Sequence, residues 1–426
     1  MSKYVIIGGC AAGISAVEAI REVDQVGTIT VISEEPCPQY SRPMISDFVG
    51  GKAYLEKMKT RDDKFWTKQS VEALTGQRAV KLDTVKKFVT LENGTKVTYE
   101  KLLIATGGKP FVPKIDGLDK DGVFTFTSLS DAERLVSKIE AMQLKKAVVV
   151  GAGLIGISLT EALVKRGLQV TLVELQDKIL SLILDPVASD LVANTIRSLG
   201  VEIITGQSVK NVLGKPETPN VVGGVLLTNG CQVLCDCVIF AIGVIPRTEL
   251  VVGTDIKTNR GIIVDNYMQT TVPDVYASGD VAEVYDFVLN QNRLLPLWPL
   301  AVLEGKVAGY NMAGKKTEYS GGTNMSSLKY FGIPIVSIGL TNPKDVSSLE
   351  VLSAQSAEEN VYKKLVLKDN VIVGMIFVND IEKAGIFFYL MKNKINVQNF
   401  KHVLLSKTFS LATLPEAIRK EMKISE

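Results

Sequence analysis

The chain has 426 residues, 46% of them hydrophobic, with 48 basic against 46 acidic side chains for a net charge of +2; this length predicts two or three domains rather than one core. With no long basic block, no apolar run near the length of a membrane span and no room for a signal peptide before the first strand, there is no reason to expect nucleic acid or a membrane as partner. Five cysteines, an odd number outside any secreted disulfide framework, point to a reducing cytoplasm, and the single histidine, His402, disfavours a histidine triad or a histidine-rich metal site.

Tyr4–Ile7 followed by GGCAAGISAVEAI reads as a buried strand turning into a helix. Gly8 and Gly13 occupy the first and third glycine positions of a Gly-x-Gly-x-x-Gly turn, and Cys10 stands at the second. A cysteine is small, so the approach of a phosphate is hampered rather than forbidden. Cys10 reads as a reactive thiol at a helix N-terminus or, more simply, as a small residue tucked under a cofactor. A second strand, Ile29–Ser33, leads into Glu34 and Glu35, either of which can hold an adenosine ribose. Beyond Pro36–Gly51 the pattern predicts a short helix over Asp62–Gln69 and a strand, loop and strand over Val71–Leu82. A hairpin comes next, Phe88–Leu91 and Lys96–Thr98 about Asn93–Gly94, and then a strand at Lys101–Ile104.

A strand and helix over Phe124–Met142 precede the most informative stretch, Ala147–Glu174. Here Gly151, Gly153 and Gly156 complete the glycine turn between the buried strand Ala147–Val150 and a helix that stops at Gly167. The next strand, Gln169–Val173, ends at Glu174, placed to accept hydrogen bonds from a ribose 2′-hydroxyl. A carboxylate there repels a 2′-phosphate and Leu175–Asp177 supplies no arginine, so NADH is favoured over NADPH. Further on, a helix is predicted over Asp185–Leu199, a strand over Val201–Thr205, a mobile loop over Lys210–Asn220 and a hairpin of Val221–Thr228 with Gln232–Phe240. Cys231, Cys235 and Cys237 lie on or beside that hairpin without a fourth ligand, so they read as strand cysteines and no metal site is expected. A buried strand at Val275–Ala277 runs into Gly279–Asp280.

On the stretches YSRPMIS, ATG, AIG, GDVAE and PLWPLAVLEG, the chain resembles the FAD-dependent pyridine-nucleotide oxidoreductases, the superfamily of glutathione reductase and NADH oxidase. Within it the chain looks like the branch of rubredoxin reductases, ferredoxin reductases of oxygenase systems, and the flavin module of assimilatory nitrite reductases. The resemblance implies an α/β fold with two Rossmann-like domains and a C-terminal α+β domain: FAD-binding residues 1–112 and 247–320, NAD-binding residues 113–246 inserted between them, and residues 321–426 last. It further implies non-covalent FAD, with Arg42 along the flavin diphosphate or ring and Pro43 shaping the turn. Ala79, in the loop Arg78–Val80, would give a backbone contact to adenine, and Ala105, Thr106 and Gly107 would lie beside the pyrophosphate. Gly279 and Asp280 would take a ribityl hydroxyl, with a following helix pointing its N-terminus at the phosphates. Pro299 would start a helix whose Leu300 and Ala301 amides face the flavin pyrimidine, and Trp298 would pack on the ring or cap the core. Ile242 and Gly243 would touch the NAD side.

The departures from that superfamily shape the functional expectation. Thiol-dependent members carry a Cys-x-x-x-x-Cys pair or one reactive cysteine where this chain reads Tyr40–Ser41–Arg42, and Cys37 lies in a loop between two prolines. Cys10 and Cys37 are therefore expected to be non-catalytic, with no catalytic side chain beyond the flavin. His402 is followed by Val403–Leu404–Leu405 with Lys407 beyond, so the histidine–acid pair of disulfide reductases is missing. The expected activity is exchange of electrons between NADH and an iron–sulfur carrier, a rubredoxin, ferredoxin or similar, in either direction. An NADH oxidase or peroxidase, or a flavin- and NADH-binding redox sensor, remains an alternative; a homo-oligomer or a subunit of a complex is compatible with either.

Overall fold

A computed structural model describes residues 2–424. The chain forms two compact units, the first made of Met1–Phe111, Thr127–Arg134 and Gly243–Gly322, the second of Val112–Phe126, Leu135–Ile242 and Thr323–Glu426.

The first unit is built on a seven-stranded sheet. Ser2–Ile7 lies at its centre, parallel to Ile29–Ser33 on one side and Lys96–Ile104 on the other. Val5, Ile6, Leu102, Leu103 and Ile104 are all fully buried, as a parallel sheet covered on both faces requires. The expected hairpin strand Lys96–Thr98 and the strand Lys101–Ile104 are one continuous strand. Its first half pairs antiparallel with Phe88–Leu91, and its second half runs parallel to Ser2–Ile7 and Val275–Ala277. The expected helix directly after Asp280 is corrected: the next element is the strand Ala282–Asp286, and the next helix is Trp298–Met312.

That helix packs against Ala11–Val23 at backbone distance. A Cβ on Gly305 would lie 2.1 Å from the Ala12 carbonyl oxygen, and one on Gly309 would lie 2.5 Å from that of Ala16. Four residues along one helix correspond to four along the other, so the two run in the same direction with their N-termini at one end. Ala12 is the second residue of its helix and Gly305 the eighth of its own. At about 1.5 Å per residue the Trp298 helix therefore overshoots the Ala11 helix by roughly 9 Å.

In the second unit five parallel strands run in the order Glu202–Ile204, Gln169–Val173, Lys146–Val150, Cys237–Phe240, Val123–Thr125. The expected mobile loop Lys210–Asn220 begins as a strand, Val209–Gly214, paired antiparallel with Val222–Leu227. The expected strand Gln232–Phe240 is divided. Gln232–Leu234 completes that small sheet, whereas Cys237–Phe240 is a fully buried member of the parallel one. A five-stranded antiparallel sheet spans Met325–Val378 and carries the helix Ala384–Lys392. Asp185 ties this sheet to the part of the same unit that carries the parallel strands. One oxygen caps the helix Pro186–Ser198 through the Ala188 N–H at 3.0 Å, and the other accepts Tyr362 at 2.7 Å and Lys364 at 3.0 Å. No described helix is long and apolar enough to cross a membrane.

Candidate functional site

Both units place the same turn at the end of the same strand. A Cβ on Gly13 would sit 1.8 Å from the Gly8 carbonyl oxygen, and one on Gly156 would sit 1.8 Å from that of Gly151. Only a residue without a side chain lets the helix lie this close to the strand. Gly8 abuts Ala105, whose N–H bonds Ile7 at 2.8 Å; Gly151 abuts Ala241, whose N–H bonds Val150 at 2.8 Å. The middle position is open in the second unit, where nothing lies within 4 Å of a Cβ on Gly153. In the first unit Cys10 takes a closely similar backbone conformation (φ −99°, ψ −154°, against −80°, −170° for Gly153). Its Sγ turns aside to the Tyr40 carbonyl oxygen at 3.9 Å.

The helices that start at Ala11, Leu154 and Trp298 have no side-chain N-cap, in contrast to the Asp185-capped helix. Their first-turn amides and positive dipole ends are suited to the phosphates of a dinucleotide. At the Trp298 helix the Ala301 amide is bonded to the Leu297 carbonyl at 2.9 Å. Pro299 is the second residue of the helix, and Trp298 is half-buried against Ala11, Ala12 and Ala301.

The two strand ends also correspond. Gly8 N–H bonds Ile32 at 2.8 Å and Gly151 N–H bonds Val173 at 2.7 Å, which sets Ser33 opposite Glu174. The correspondence continues into Thr75–Gly76–Gln77 and Thr205–Gly206–Gln207. Gln77 and Gln207 donate to Ser33 and Glu174, and Gly76 and Gly206 to Glu35 and Gln176. Motif matching alone misses this repeated Thr-Gly-Gln, because the triplet follows the two glycine turns at different spacings in the sequence. It brings the turn before Ala79 beside Ser33–Glu35. Glu174 itself is held by the Ala152 N–H at 2.7 Å and the Gln176 N–H at 2.8 Å, which fixes its carboxylate at the glycine turn.

The two candidate glutamates of the first unit have different company. Glu34 is exposed and pairs with Arg247. Glu35 accepts the Tyr40 hydroxyl at 2.6 Å and also pairs with Arg42. Tyr40 is fully buried and its hydroxyl accepts the Leu129 N–H at 2.9 Å, while Arg42 donates to the Thr127 carbonyl at 2.6 Å. Burial opposes the Arg42 charge, yet Cys10, Tyr40 and Glu35 raise its pKa overall. Pro43 lies in the short 3₁₀ turn Arg42–Met44 that aims this guanidinium. Asp280, raised by burial, is drawn back down by the charge of Arg42. Arg42, Cys10 and Asp280 are thus electrostatic neighbours.

Around the return crossing, the Thr106 hydroxyl donates to the Arg247 carbonyl at 2.9 Å, and the Arg247 N–H to the Gly107 carbonyl at 2.9 Å. Ile242 abuts Gly151 in the second unit, while Gly243 belongs to the first, where its carbonyl accepts the Phe111 N–H at 2.9 Å. Burial raises the thiol pKa of both Cys10 and Cys37. Cys235 and Cys237 are buried and pushed up to about 12, and Cys231 is exposed. Among the described residues no group of three His, Cys, Asp or Glu side chains is arranged to hold a metal.

Two glycine turns, each with uncapped helix amides and an acidic or polar strand end, define a protein that binds two dinucleotides. Residues 2–305 match the pyridine nucleotide-disulphide oxidoreductase family, and residues 325–395 match the C-terminal domain of rubredoxin NAD+ reductase. The chain belongs to the pyridine nucleotide-disulphide oxidoreductase family, and it is an FAD-dependent oxidoreductase that uses NAD(H). It is 32% identical to the epsilon subunit of NADH-dependent phenylglyoxylate dehydrogenase from Aromatoleum evansii, over 93% of each chain. It is 28% identical to NADH-rubredoxin oxidoreductase from Clostridium acetobutylicum, over 89% of this chain and 92% of that one. Among solved structures it is similar to the NAD-dependent persulfide reductase of A. fulgidus, with TM-score 0.87 and 26% identity, covering 93% of this chain and 78% of the other.

Proposed function

We propose that this oxidoreductase exchanges electrons between NADH and a one-electron iron–sulfur carrier, a rubredoxin, ferredoxin or similar protein, through FAD alone. The observation that carries the reading is the Tyr40–Glu35–Arg42 network. It fills the place where thiol-dependent relatives of the family hold a reactive cysteine, and the nearby Cys10 and Cys37 thiols are held protonated by burial. The match of residues 325–395 to a rubredoxin reductase domain supports the same carrier class.

FAD, when bound, supplies acceptance of an electron pair from the nicotinamide and its release one electron at a time. The chain's own residues bind and orient. Gly8, Gly13 and the Ala11 helix amides take the diphosphate, with Ala105, Thr106 and Gly107 beside it and Arg42 and Pro43 along it. Ser33 and Glu34 lie at the adenosine ribose, with Glu35 behind them holding Arg42, and Ala79 contacts adenine. Gly279 and Asp280 take the ribityl chain, and Trp298, Pro299 and Leu300 meet the ring. Gly151, Gly153, Gly156, Glu174, Ile242 and Gly243 hold NADH. Domain limits of 1–112 with 247–320 for FAD, 113–246 for NAD and 321–426 for the C-terminal part go with this reading, as do a cytoplasmic location and service as one subunit of a larger assembly or a homo-oligomer.

The test is purified holoprotein with NADH and, in parallel, a rubredoxin, a ferredoxin and dissolved oxygen. Carrier reduction should account for most NADH consumed. If oxygen uptake matches NADH loss even with carriers present, the oxidase alternative replaces this reading.

A further inference from the structure

Glu304, on the Trp298 helix, is 1% exposed. Its Oε2 accepts the Gly279 backbone N–H at 2.7 Å, while Oε1 is buried with no hydrogen-bond partner among the described residues. Gly279 has φ +76°, a left-handed conformation, and it directly precedes Asp280. A single side chain therefore fixes the backbone of the turn that carries Asp280. The helix cannot shift to expose it, because Gly305, the next residue, is in backbone contact with Ala12.

The charge state follows from the surroundings. On the turn, Asp280 is an acid. On the loop after the helix, the buried Tyr319 hydroxyl has no partner either, and its pKa is raised by burial and then by Glu304 and Asp286. From the Ala11 helix, the contact is made by Ala12 and Ala16. Burial first, then Asp280, pushes Glu304 up to about 8 against the pull of the Gly279 N–H. An ionised carboxylate would be a buried anion beside a second acid with one neutral donor. A neutral acid keeps the Gly279 bond on its carbonyl oxygen and adds no charge.

We propose that Glu304 is a positioning residue for FAD, working as a neutral acid whose carbonyl oxygen sets the Gly279 backbone and so the placement of Asp280. The inference rests on the reading that Gly279–Asp280 lies at FAD. Because FAD brings a diphosphate, its binding favours the uncharged form of Glu304, so affinity falls as pH rises through the range in which Glu304 ionises. Glutamine has the same shape and a carbonyl oxygen, and it cannot ionise.

The experiment titrates FAD onto flavin-stripped protein, following flavin fluorescence at pH 6.5 and 9, for wild type, Glu304→Gln, Glu304→Ala and Gly279→Ala, with circular dichroism to verify folding. The wild-type dissociation constant should rise about tenfold between the two pH values. Glu304→Gln should bind tightly at both, and Glu304→Ala should bind at least tenfold more weakly at both. If Glu304→Gln binds as poorly as Glu304→Ala, or keeps the wild-type pH dependence, the positioning role is overturned. If folded Gly279→Ala weakens FAD while Glu304→Ala does not, the role of Glu304 fails and the FAD placement stands. If neither substitution changes FAD affinity, the placement itself is wrong.

Discussion

Tyr40 donates its hydroxyl to Glu35 at 2.6 Å from a fully buried position and accepts the Leu129 N–H at 2.9 Å on the same oxygen. Residues 127–134 join the first unit as an isolated stretch, and the Tyr40 and Arg42 bonds to Leu129 and Thr127 help to hold it there. Tyr40→Phe leaves a buried amide and one Glu35 oxygen without partners. The expected loss is about 1–3 kcal/mol, read as a lower midpoint in urea unfolding. An unchanged midpoint would mean that water replaces the hydroxyl and that the network contributes no stability.

The same network bears on the missing thiol. With Cys10 and Cys37 both raised by burial, neither supplies a thiolate near neutral pH, and Cys10→Ser or Cys37→Ser should leave NADH-dependent carrier reduction within about threefold per bound flavin. Flavin content is measured first, since Cys10 sits in the Gly8–Gly13 turn proposed to hold FAD. A loss of more than about a hundredfold per flavin in Cys37→Ser, roughly 2.7 kcal/mol, would end the thiol-free mechanism.

Glu174, whose two oxygens are held by the Ala152 and Gln176 amides, is proposed to set coenzyme choice. Replacing it by alanine, with Leu175→Arg, removes a repulsive carboxylate and adds a partner for a 2′-phosphate. The ratio of kcat/KM for NADPH to that for NADH should rise at least tenfold. Because the Ala152 amide also loses its acceptor, KM for NADH should rise in the single variant. Wild type that already accepts NADPH as readily as NADH would contradict the role given to Glu174.

The local and periodic part of the fold was legible in the sequence. Strand, glycine turn, helix and acidic strand end lie within about thirty residues of one another, the span of one βαβ unit, so Gly151–Glu174 could be read with its correct boundaries. Long-range pairing was less visible. Nothing near Gln232–Phe240 reveals that Cys237 leaves its hairpin neighbour to join a parallel sheet beside Ala147. Similarly, the expected helix after Asp280 gave way to Ala282–Asp286, which finds its partner in Gln291–Leu294. Glu34 and Glu35 are adjacent and chemically identical, so only the positions of Arg247 and Tyr40 distinguish them. Glu304 sits in an apolar helix where one acid looks like a solvent-facing residue; its burial comes from the contact of Gly305 with Ala12, far away in the chain.

Burial of Glu304 also makes the stability of the fold depend on pH. Glu304 has a pKa of about 8 in the folded protein against an ordinary 4.5, so between these values the folded state binds a proton that the unfolded state has released. The stability of wild type therefore declines as pH rises from 4.5 toward 8 on account of this group, and the penalty is constant above that range. Glu304→Gln lacks this dependence. Its stability relative to wild type should improve steadily between about pH 5 and 8 and then level off, with a total difference on the order of a few kcal/mol. The measurement is Tm against pH for both proteins after removal of FAD, because bound FAD would itself favour the uncharged form and carry the change beyond pH 8. A Tm difference that stays flat across this range, or that shrinks as pH rises, would show that Glu304 is already ionised in the folded protein at the acid end and that a cation or ordered water stabilises its carboxylate.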